Sequence, residues 1–161
     1  MDGMCHRYAR ISYICFADMQ CCVNKTPVFR INIPEQNKAI MQTKQIMQKL
    51  RELLLEHVPP LKVRQDDENG FEVAGTKAVM QGKKKVDGFY FASLVPKPKD
   101  VRFYFFPVYT DPGQFNVSEK LQKMLKGKSC FHIKTLDEDL VFEIRGMIIR
   151  GVETYLAKDL I

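Results

Sequence analysis

Lys126-Gly127-Lys128-Ser129 is the stretch of the chain that most resembles a chemical motif. It ends like a phosphate-binding loop, in which a lysine and a hydroxyl meet phosphate and magnesium. That motif also needs a glycine five residues before Gly127, and Gln122 stands there. The chain is predicted to pass here from a helix into a strand, whereas a phosphate-binding loop passes from a strand into a helix. The stretch therefore predicts clustered hydrogen-bond donors and positive charge rather than nucleotide hydrolysis.

Cys130 and His132 follow directly and are separated by one residue. In a strand, residues two apart face the same side about 6.5–7 Å from each other. A thiol and an imidazole on one face are the types that nucleophilic catalysis uses, although no Asp, Asn or Glu stands nearby in the sequence to orient the imidazole. A buried cysteine and a hydrogen-bonded histidine explain the same pattern. A thiol-dependent enzyme using Cys130 and His132 is therefore an alternative, and we expect a binding domain rather than an enzyme.

Positive charge is concentrated in the middle of the chain. The 161 residues carry a net charge of +6, but residues 77–134 alone contain 12 basic and 4 acidic side chains. The basic residues that we consider are Lys83, Lys84, Lys85, Lys97, Lys99 and Arg102 near strand connections, and Lys120, Lys123, Lys126 and Lys128 at near-helical spacing. Such a distribution is typical of a surface that binds anions or nucleic acid. Nucleic acid is possible but less favoured, because the aromatic residues between the lysines are predicted to be core.

Cysteine and hydropathy patterns limit the class of protein. Of five cysteines, four (Cys5, Cys15, Cys21 and Cys22) lie near the N-terminus, without the spacing of a zinc site. An odd count argues against a disulfide framework, so we expect reduced thiols and a cytoplasmic protein. Residues 1–38 lack periodicity and are predicted to be an appended, poorly ordered tail or an over-called start. No apolar run reaches the length of about 18 residues that a membrane span needs.

The remaining residues, 40–161, are predicted to form a single domain. We expect a helix from about Ile40 to His57, strands at Leu61–Arg64 and Phe71–Lys77, an aromatic hairpin of Val86–Val95 and Val101–Tyr109, a short helix that Ser118 caps and that ends at Gly127, a strand at Ser129–Lys134, and a last helix with a capping box at Thr135 and Glu138. In the second strand of the hairpin, Phe103–Phe106 is apolar on both faces, which predicts a central strand. Pro107 is predicted to end the pairing of this strand or to lie at a bulge. Strands grouped between terminal helices predict an α+β fold. The expected architecture is a curved antiparallel sheet of about four to five strands packed against N- and C-terminal helices.

The segment 41–161 resembles the YdhG-like superfamily of small bacterial domains. The resemblance rests on the opening helix, the aromatic hairpin with Phe105–Tyr109, and the string Leu125–Lys134 followed by an acidic helix start. It departs from the better-known branch, which carries a Lys-Trp-Gly-x-Pro pattern where this chain has Val63–Glu68 and no Trp. The resemblance implies an α+β domain with a curved antiparallel sheet. One relative is described as a frataxin-like iron chaperone, which makes iron handling an alternative function.

Together these patterns predict a domain that binds a small or anionic ligand, such as phosphate, on a basic surface. The predicted ligand-binding residues are Lys126, Lys128, Ser129, His132 and Tyr109. We expect no cofactor, no metal ligand and no membrane association, and the sequence does not assign an oligomeric state. The acidic residues 66–68 are interpreted as an exposed turn, with a cation site as the alternative.

Overall fold

The structure is a computed structural model that describes residues 35–161, with side chains from Gln42 onward. Its helices are α1 (Glu35–Leu55), α2 (Pro107–Thr110), α3 (Glu119–Met124) and α4 (Glu138–Ala157), with a 3-10 turn at Pro112–Gln114. Its strands are β1 (Lys62–Asp67), β2 (Gly70–Ala74), β3 (Ala78–Gln81), β4 (Lys84–Asp87), β5 (Tyr90–Pro96), β6 (Val101–Phe105), β7 (Leu125–Lys126) and β8 (Cys130–Ile133). The predicted α+β class is confirmed.

Six of these strands form one sheet, in the order β1-β2-β5-β6-β8-β7, and all of its pairs are antiparallel. Strands β3 and β4 form a separate two-stranded ribbon. The predicted count of four to five strands was therefore too low. The additional strand of the large sheet is β7, whose two residues the sequence predicts as the end of a helix; α3 instead ends at Met124.

The run Val86–Val95 is not the single strand that its composition predicted. Gly88 interrupts it with a φ of +98°, a backbone conformation that side-chain-bearing residues rarely adopt. Strand β4 ends before this glycine and pairs with β3, whereas β5 begins after it and joins the large sheet. The aromatic and β-branched composition is common to both strands, so only the glycine signals the break.

The run Val101–Tyr109 also ends earlier as a strand than predicted. Pairing stops at Phe105, and Pro107 is the first residue of α2. Proline has no N–H for a strand ladder, and its fixed φ suits the first position of a helix. Of the two predicted roles of Pro107, a strand end and a bulge, the structure shows the first, and Tyr109 consequently lies on a helical turn.

The core lies between one face of the sheet and the helices α1 and α4. Its largest fully buried side chains include Leu50, Leu53, Leu54, Phe71, Phe91, Phe103, Phe105, Phe131 and Tyr155. Helix and sheet approach closely at Gly151, where an added Cβ would lie 2.6 Å from Cζ of Phe105 and 3.1 Å from Cζ of Phe91. The other face of the large sheet, here called the open face, carries half-buried and mainly polar side chains from β5, β6 and β8. Antiparallel sheets commonly have one covered and one solvated face.

Side-chain caps fix the starts of the two C-terminal helices. Ser118 caps α3 as predicted, because its Oγ accepts a hydrogen bond from the backbone N–H of Leu121 at 3.2 Å. The capping box at Thr135 was wrong. Asp137 is the cap of α4, and its carboxylate accepts from the N–H of Leu140 at 3.0 Å. A carboxylate here also interacts favourably with the positive end of the helix dipole.

Several predictions concern residues before those that the structure describes. They include the reduced state of Cys5, Cys15, Cys21 and Cys22 and most of the predicted tail at 1–38. Helix α1 begins at Glu35, earlier than about Ile40, and ends at Leu55, ahead of Pro59. Within residues 35–161, no helix combines the length and apolarity that crossing a bilayer requires.

Candidate functional site

Along β6 and along β8, successive side chains point alternately into the core and onto the open face. Phe103 and Phe131 are fully buried, whereas their neighbours Tyr104 and Cys130 are half-buried. Tyr104 lies opposite Cys130, and Cys130 in turn lies opposite Lys126 of β7. A phenol, a thiol and an ammonium group therefore stand in one row across three adjacent strands.

A second row runs alongside the first. Arg102 of β6 lies opposite His132 of β8, so a guanidinium and an imidazole face each other two residues further along these strands. Directly opposite residues in an antiparallel pair have Cβ atoms about 4.5–5.5 Å apart. The two rows form what we call the open-face cluster: Arg102, Tyr104, Lys126, Cys130 and His132.

Arg102 differs from most arginines of the described part. Arg51, Arg64 and Arg145 each pair with a carboxylate, from Asp66, Glu72 and Glu56 respectively. Among residues 42–161 no carboxylate pairs with Arg102, and its Nε is buried without a hydrogen-bond acceptor. A buried polar atom without a partner is costly, so this N–H is a site where an added acceptor would stabilise the molecule.

His132 is held by a residue from a different loop. Its Nδ1 lies 3.2 Å from Oδ2 of Asp100, which is only 9% exposed. Asp100 closes the turn between β5 and β6, where its carbonyl accepts from the N–H of Lys97 at 2.9 Å. A carboxylate on Nδ1 fixes the orientation of the ring, so that Nε2 is the nitrogen left for a ligand. This is the orienting partner that the sequence near His132 lacks.

Cys130 is protected rather than activated. Burial raises the pKa of its thiol, and a hydrogen bond with the Tyr104 hydroxyl and the charge of Arg102 oppose that rise only in part. Reactive cysteines have a lowered pKa, because the thiolate is the nucleophile. The site therefore contains the residue types of a thiol enzyme, with a thiol pKa shifted in the direction that disfavours the thiolate.

Of the five predicted ligand-binding residues, Lys128 and Tyr109 are brought into contact. The Lys128 Nζ lies 5.0 Å from the centre of the Tyr109 ring, a cation–π arrangement. Gly127, with a φ of +82°, forms the turn between β7 and β8 that brings Lys128 to this position. Tyr109 is 46% exposed and its ring packs against Phe106.

The other three predicted residues occupy different positions. Lys126 and His132 project from the same face but lie in different rows of the cluster. Ser129 is half-buried, and its carbonyl accepts from the N–H of Phe105 at 2.8 Å, which joins β8 to the end of β6. The structure thus divides the predicted set between the open-face cluster and the Lys128–Tyr109 contact.

Aromatic side chains extend the open face toward that contact. The Phe106 ring lies 5.5 Å from the rings of both Tyr109 and Tyr90. The Tyr90 hydroxyl is 2.6 Å from Oγ of Ser93, and burial raises the pKa of Tyr90 to about 12. Ser93 lies opposite Tyr104, so this aromatic group continues into the open-face cluster.

Sequence reasoning missed two contributors, Asp100 and Tyr104, and placed Arg102 only within the general basic surface rather than among the ligand-binding residues. The alternation Val101-Arg102-Phe103-Tyr104-Phe105 carried a signal for Arg102 and Tyr104, because every second residue has a polar group. The aromatic content of the run favoured the interpretation that it is apolar on both faces. Asp100 had no comparable signal, since its contact with His132 links residues far apart in the chain.

The acidic turn after β1 is explained by its own backbone. One carboxylate oxygen of Asp67 accepts from the N–H of Asn69 at 2.7 Å and from that of Gly70 at 3.2 Å. Within the described residues no group of three His, Cys, Asp or Glu side chains is arranged to hold a metal ion. The turn therefore has a structural role, as its composition favoured.

Comparison with protein-family models, with curated proteins and with solved structures finds no match to this chain.

Proposed function

We propose that this domain binds a small anion, bearing a phosphate or carboxylate group, on the open face of its sheet. The observation that carries the proposal is Arg102, a half-buried guanidinium with a buried N–H that no acceptor satisfies. Arginine presents a planar fork of donors that matches the oxygens of carboxylate and phosphate. Binding without chemical transformation fits a cluster whose thiol has a raised pKa.

Neighbouring groups of the cluster supply the remaining donors. Lys126 and the Tyr104 hydroxyl stand in the next row as donors, and His132, held by Asp100, lies beside Arg102. Two carboxylates of this region are bound within the fold, since Asp100 lies against His132 and Glu72 pairs with Arg64. The face therefore attracts anions, and Lys128 on Tyr109 extends the positive charge at its aromatic end.

Titration calorimetry at physiological ionic strength, about 0.15 M, tests the proposal, with inorganic phosphate, pyrophosphate and citrate as probes. Arg102→Gln should weaken binding about 10- to 100-fold, since hydrogen bonds to charged groups contribute about 1.5–3 kcal/mol. Lys128→Ala should have a smaller effect, because its ammonium group is exposed and lies over a ring rather than in the cluster.

Arg150→Gln is the matched control, since it removes the same charge from an exposed site on α4. Its affinity for the probes should remain within about twofold, because exposed charges more than about 8–10 Å apart are largely screened at physiological salt. Absence of binding by all three anions, or equal losses in the two variants, would overturn the proposal.

The thiol-enzyme alternative has one observation in its favour, the Asp100 carboxylate on His132, which is the orienting group such a mechanism uses. Against it, burial raises the pKa of the Cys130 thiol, and the hydrogen bond with Tyr104 offsets that rise only in part. The iron alternative has less support, as the described residues offer no three-ligand group. Membership of the YdhG-like superfamily stays a prediction from the sequence.

A further inference from the structure

Helix α4 carries a second apolar line on the side away from the core. Phe142 is 80% exposed, Ile149 41% and Leu156 53%, and they follow one another at intervals of seven residues. Seven residues are nearly two helical turns, so the three side chains lie almost in line along the helix. The core-facing residues form the opposite side: Leu140, Ile144, Met147, Ile148, Gly151, Val152 and Tyr155.

The surroundings of this line leave room for another helix. Gly146 lies between Phe142 and Ile149, and a Cβ at Gly146 would meet nothing within 4 Å. Two grooves flank the Phe142 ring: one of about 600 Å³ between α1 and α4, with Ile46 and Val141 in its lining, and one of about 170 Å³ beside Phe115. Exposed large apolar side chains in a line, next to such grooves, mark an interaction surface.

The charges along the same side are arranged symmetrically about Ile149. Arg145 stands four residues before it and Glu153 four residues after it, just as Phe142 and Leu156 stand seven before and seven after. A second α4 that runs antiparallel, related by a twofold axis at Ile149, brings Phe142 level with Leu156 of the second copy. It also brings Arg145 level with Glu153 of the second copy. A parallel copy would instead bring Arg145 level with Arg145.

We propose that this face of α4, defined by Phe142, Gly146, Ile149, Glu153 and Leu156, binds a second copy of the same chain in the antiparallel orientation. Twofold pairing uses one patch twice, which requires this kind of self-complementarity. A single helix pair is smaller than a standard interface of about 800 Å² per partner. We therefore expect a reversible dimer with a dissociation constant on the order of 10 µM.

Sedimentation velocity of the full chain over a concentration range of about 1–200 µM tests the dimer around its expected midpoint. The weight-average mass should rise from 18.7 kDa toward twice that value. Ile149→Arg should keep the chain monomeric throughout. Met80→Arg is the matched control, since Met80 is a 58% exposed apolar residue on β3, and this variant should dimerise like the parent.

Charge reversal tests the orientation. Glu153→Arg should weaken the dimer at least tenfold, and adding Arg145→Glu should restore most of the affinity. Arg145 also bonds Glu56 within one copy, at 2.7 Å, so Glu56→Ala controls for loss of that bond. The proposal is overturned if the full chain stays monomeric, which is the result expected if residues 1–34 or a different protein cover this face. It is also overturned if Ile149→Arg leaves the dimer intact. A double variant no tighter than Glu153→Arg overturns the antiparallel pairing.

Discussion

Arg64 and Arg102 carry the same group on the same sheet, but their surroundings give them different roles. The Arg64 Nη1 lies 3.3 Å from Oε1 of Glu72, so its charge is already neutralised within the fold. Arg102 faces His132 and Val95 across the strands and has no carboxylate among the described residues. An exposed ion pair contributes about 0–1 kcal/mol to stability, and its guanidinium is already bound to a carboxylate. An unpaired guanidinium can instead bind the oxygen atoms of a ligand.

The environment of Cys130 makes a direct prediction about its reactivity. Because burial raises its thiol pKa, the thiolate is scarce at neutral pH. Iodoacetamide should therefore modify Cys130 more slowly at pH 7.5 than it modifies a free cysteine, whose pKa is about 8.5, and the rate should keep rising with pH beyond that value. Peptide-resolved mass spectrometry follows this site separately from the other cysteines.

Tyr104→Phe provides the comparison for Cys130. It removes the hydrogen bond that lowers the thiol pKa, so alkylation at a fixed pH should become slower still. Fast alkylation of the parent at pH 7 would favour the thiol-enzyme alternative, whereas a faster Phe variant would contradict a hydrogen bond that stabilises the thiolate.

Asp111 links the turn after α2 to the end of α4, and this link should depend on pH. Its carboxylate bonds Lys158, which is the main reason that its pKa is lowered, with a smaller contribution from Thr110. A folded-state pKa below the unfolded value of about 3.9 means stability that is present above pH 4 and is lost as pH falls through the folded value.

Asp111→Asn should accordingly lower the free energy of unfolding at pH 7, by up to about 1 kcal/mol, since one partner is well exposed. Urea unfolding at pH 7 and pH 3 measures the difference, which should shrink at the lower pH. Lys158→Met should cost a similar amount at pH 7 and add little to Asp111→Asn. A loss that is equal at both pH values would contradict the ion-pair explanation.

At the scale of elements, the approach of α4 to the sheet depends on the absence of a side chain at Gly151. A methyl group there would lie 2.6 Å from Phe105 and 3.1 Å from Phe91, two fully buried rings that cannot move freely. Gly151→Ala should therefore destabilise the domain by about 1–3 kcal/mol, the cost of overpacking.

Gly146→Ala, on the same helix, is the matched control for Gly151→Ala. Its Cβ meets nothing within 4 Å, so better helix propensity should stabilise the protein by about 0.5–1 kcal/mol. Chemical denaturation below 1 µM, on the order of tenfold under the expected dimer constant, compares the two without self-association. Equal effects of the two substitutions would mean that the close helix–sheet contact is not a determinant of stability.

The elements that sequence could predict are those with strong local signals. Periodicity in α1 and α4, Ser118 as a cap and Pro107 as a strand end are local, and the structure agrees with them. The two-residue strand β7 is too short for any period to show, and it is defined only by pairing with β8. Thr135 and Asp137 are both of types that favour a helix N-cap, so the local sequence does not decide between them. In the structure Asp137 is the cap of α4.

At the scale of the whole molecule, the candidate site is assembled from contacts that no local pattern encodes. Asp100 closes one turn and orients His132 on another strand, while Tyr109 reaches Lys128 from a separate helical turn. The sequence could predict the basic stretch around Lys126, because charge is visible in composition. It could not predict that Arg102 would lack a carboxylate, since ion pairing depends on the tertiary fold.

The two proposed surfaces lie on opposite sides of the large sheet, which makes them separable by experiment. Helix α4 packs through Gly151 against Phe105 of β6, while Arg102 and Tyr104 of the same strand project from the open face. Dimerisation should therefore leave the anion site accessible. Ile149→Arg, as a monomer, should bind phosphate or pyrophosphate with an affinity within about twofold of the parent, because α4 and the anion-binding side chains lie on opposite faces of the sheet and salt screens an exposed charge.

Conversely, Arg102→Gln should weaken anion binding and leave the dissociation constant of the dimer unchanged. Calorimetry and sedimentation of the same two variants measure both quantities. If a variant that no longer dimerises also loses anion binding, the two surfaces are coupled. This result would contradict their separation by the sheet, because the core beneath β6 would have to transmit a change from one face to the other. The Phe105–Gly151 contact joins α4 to β6, so in that case Gly151→Ala should alter anion affinity as well as stability.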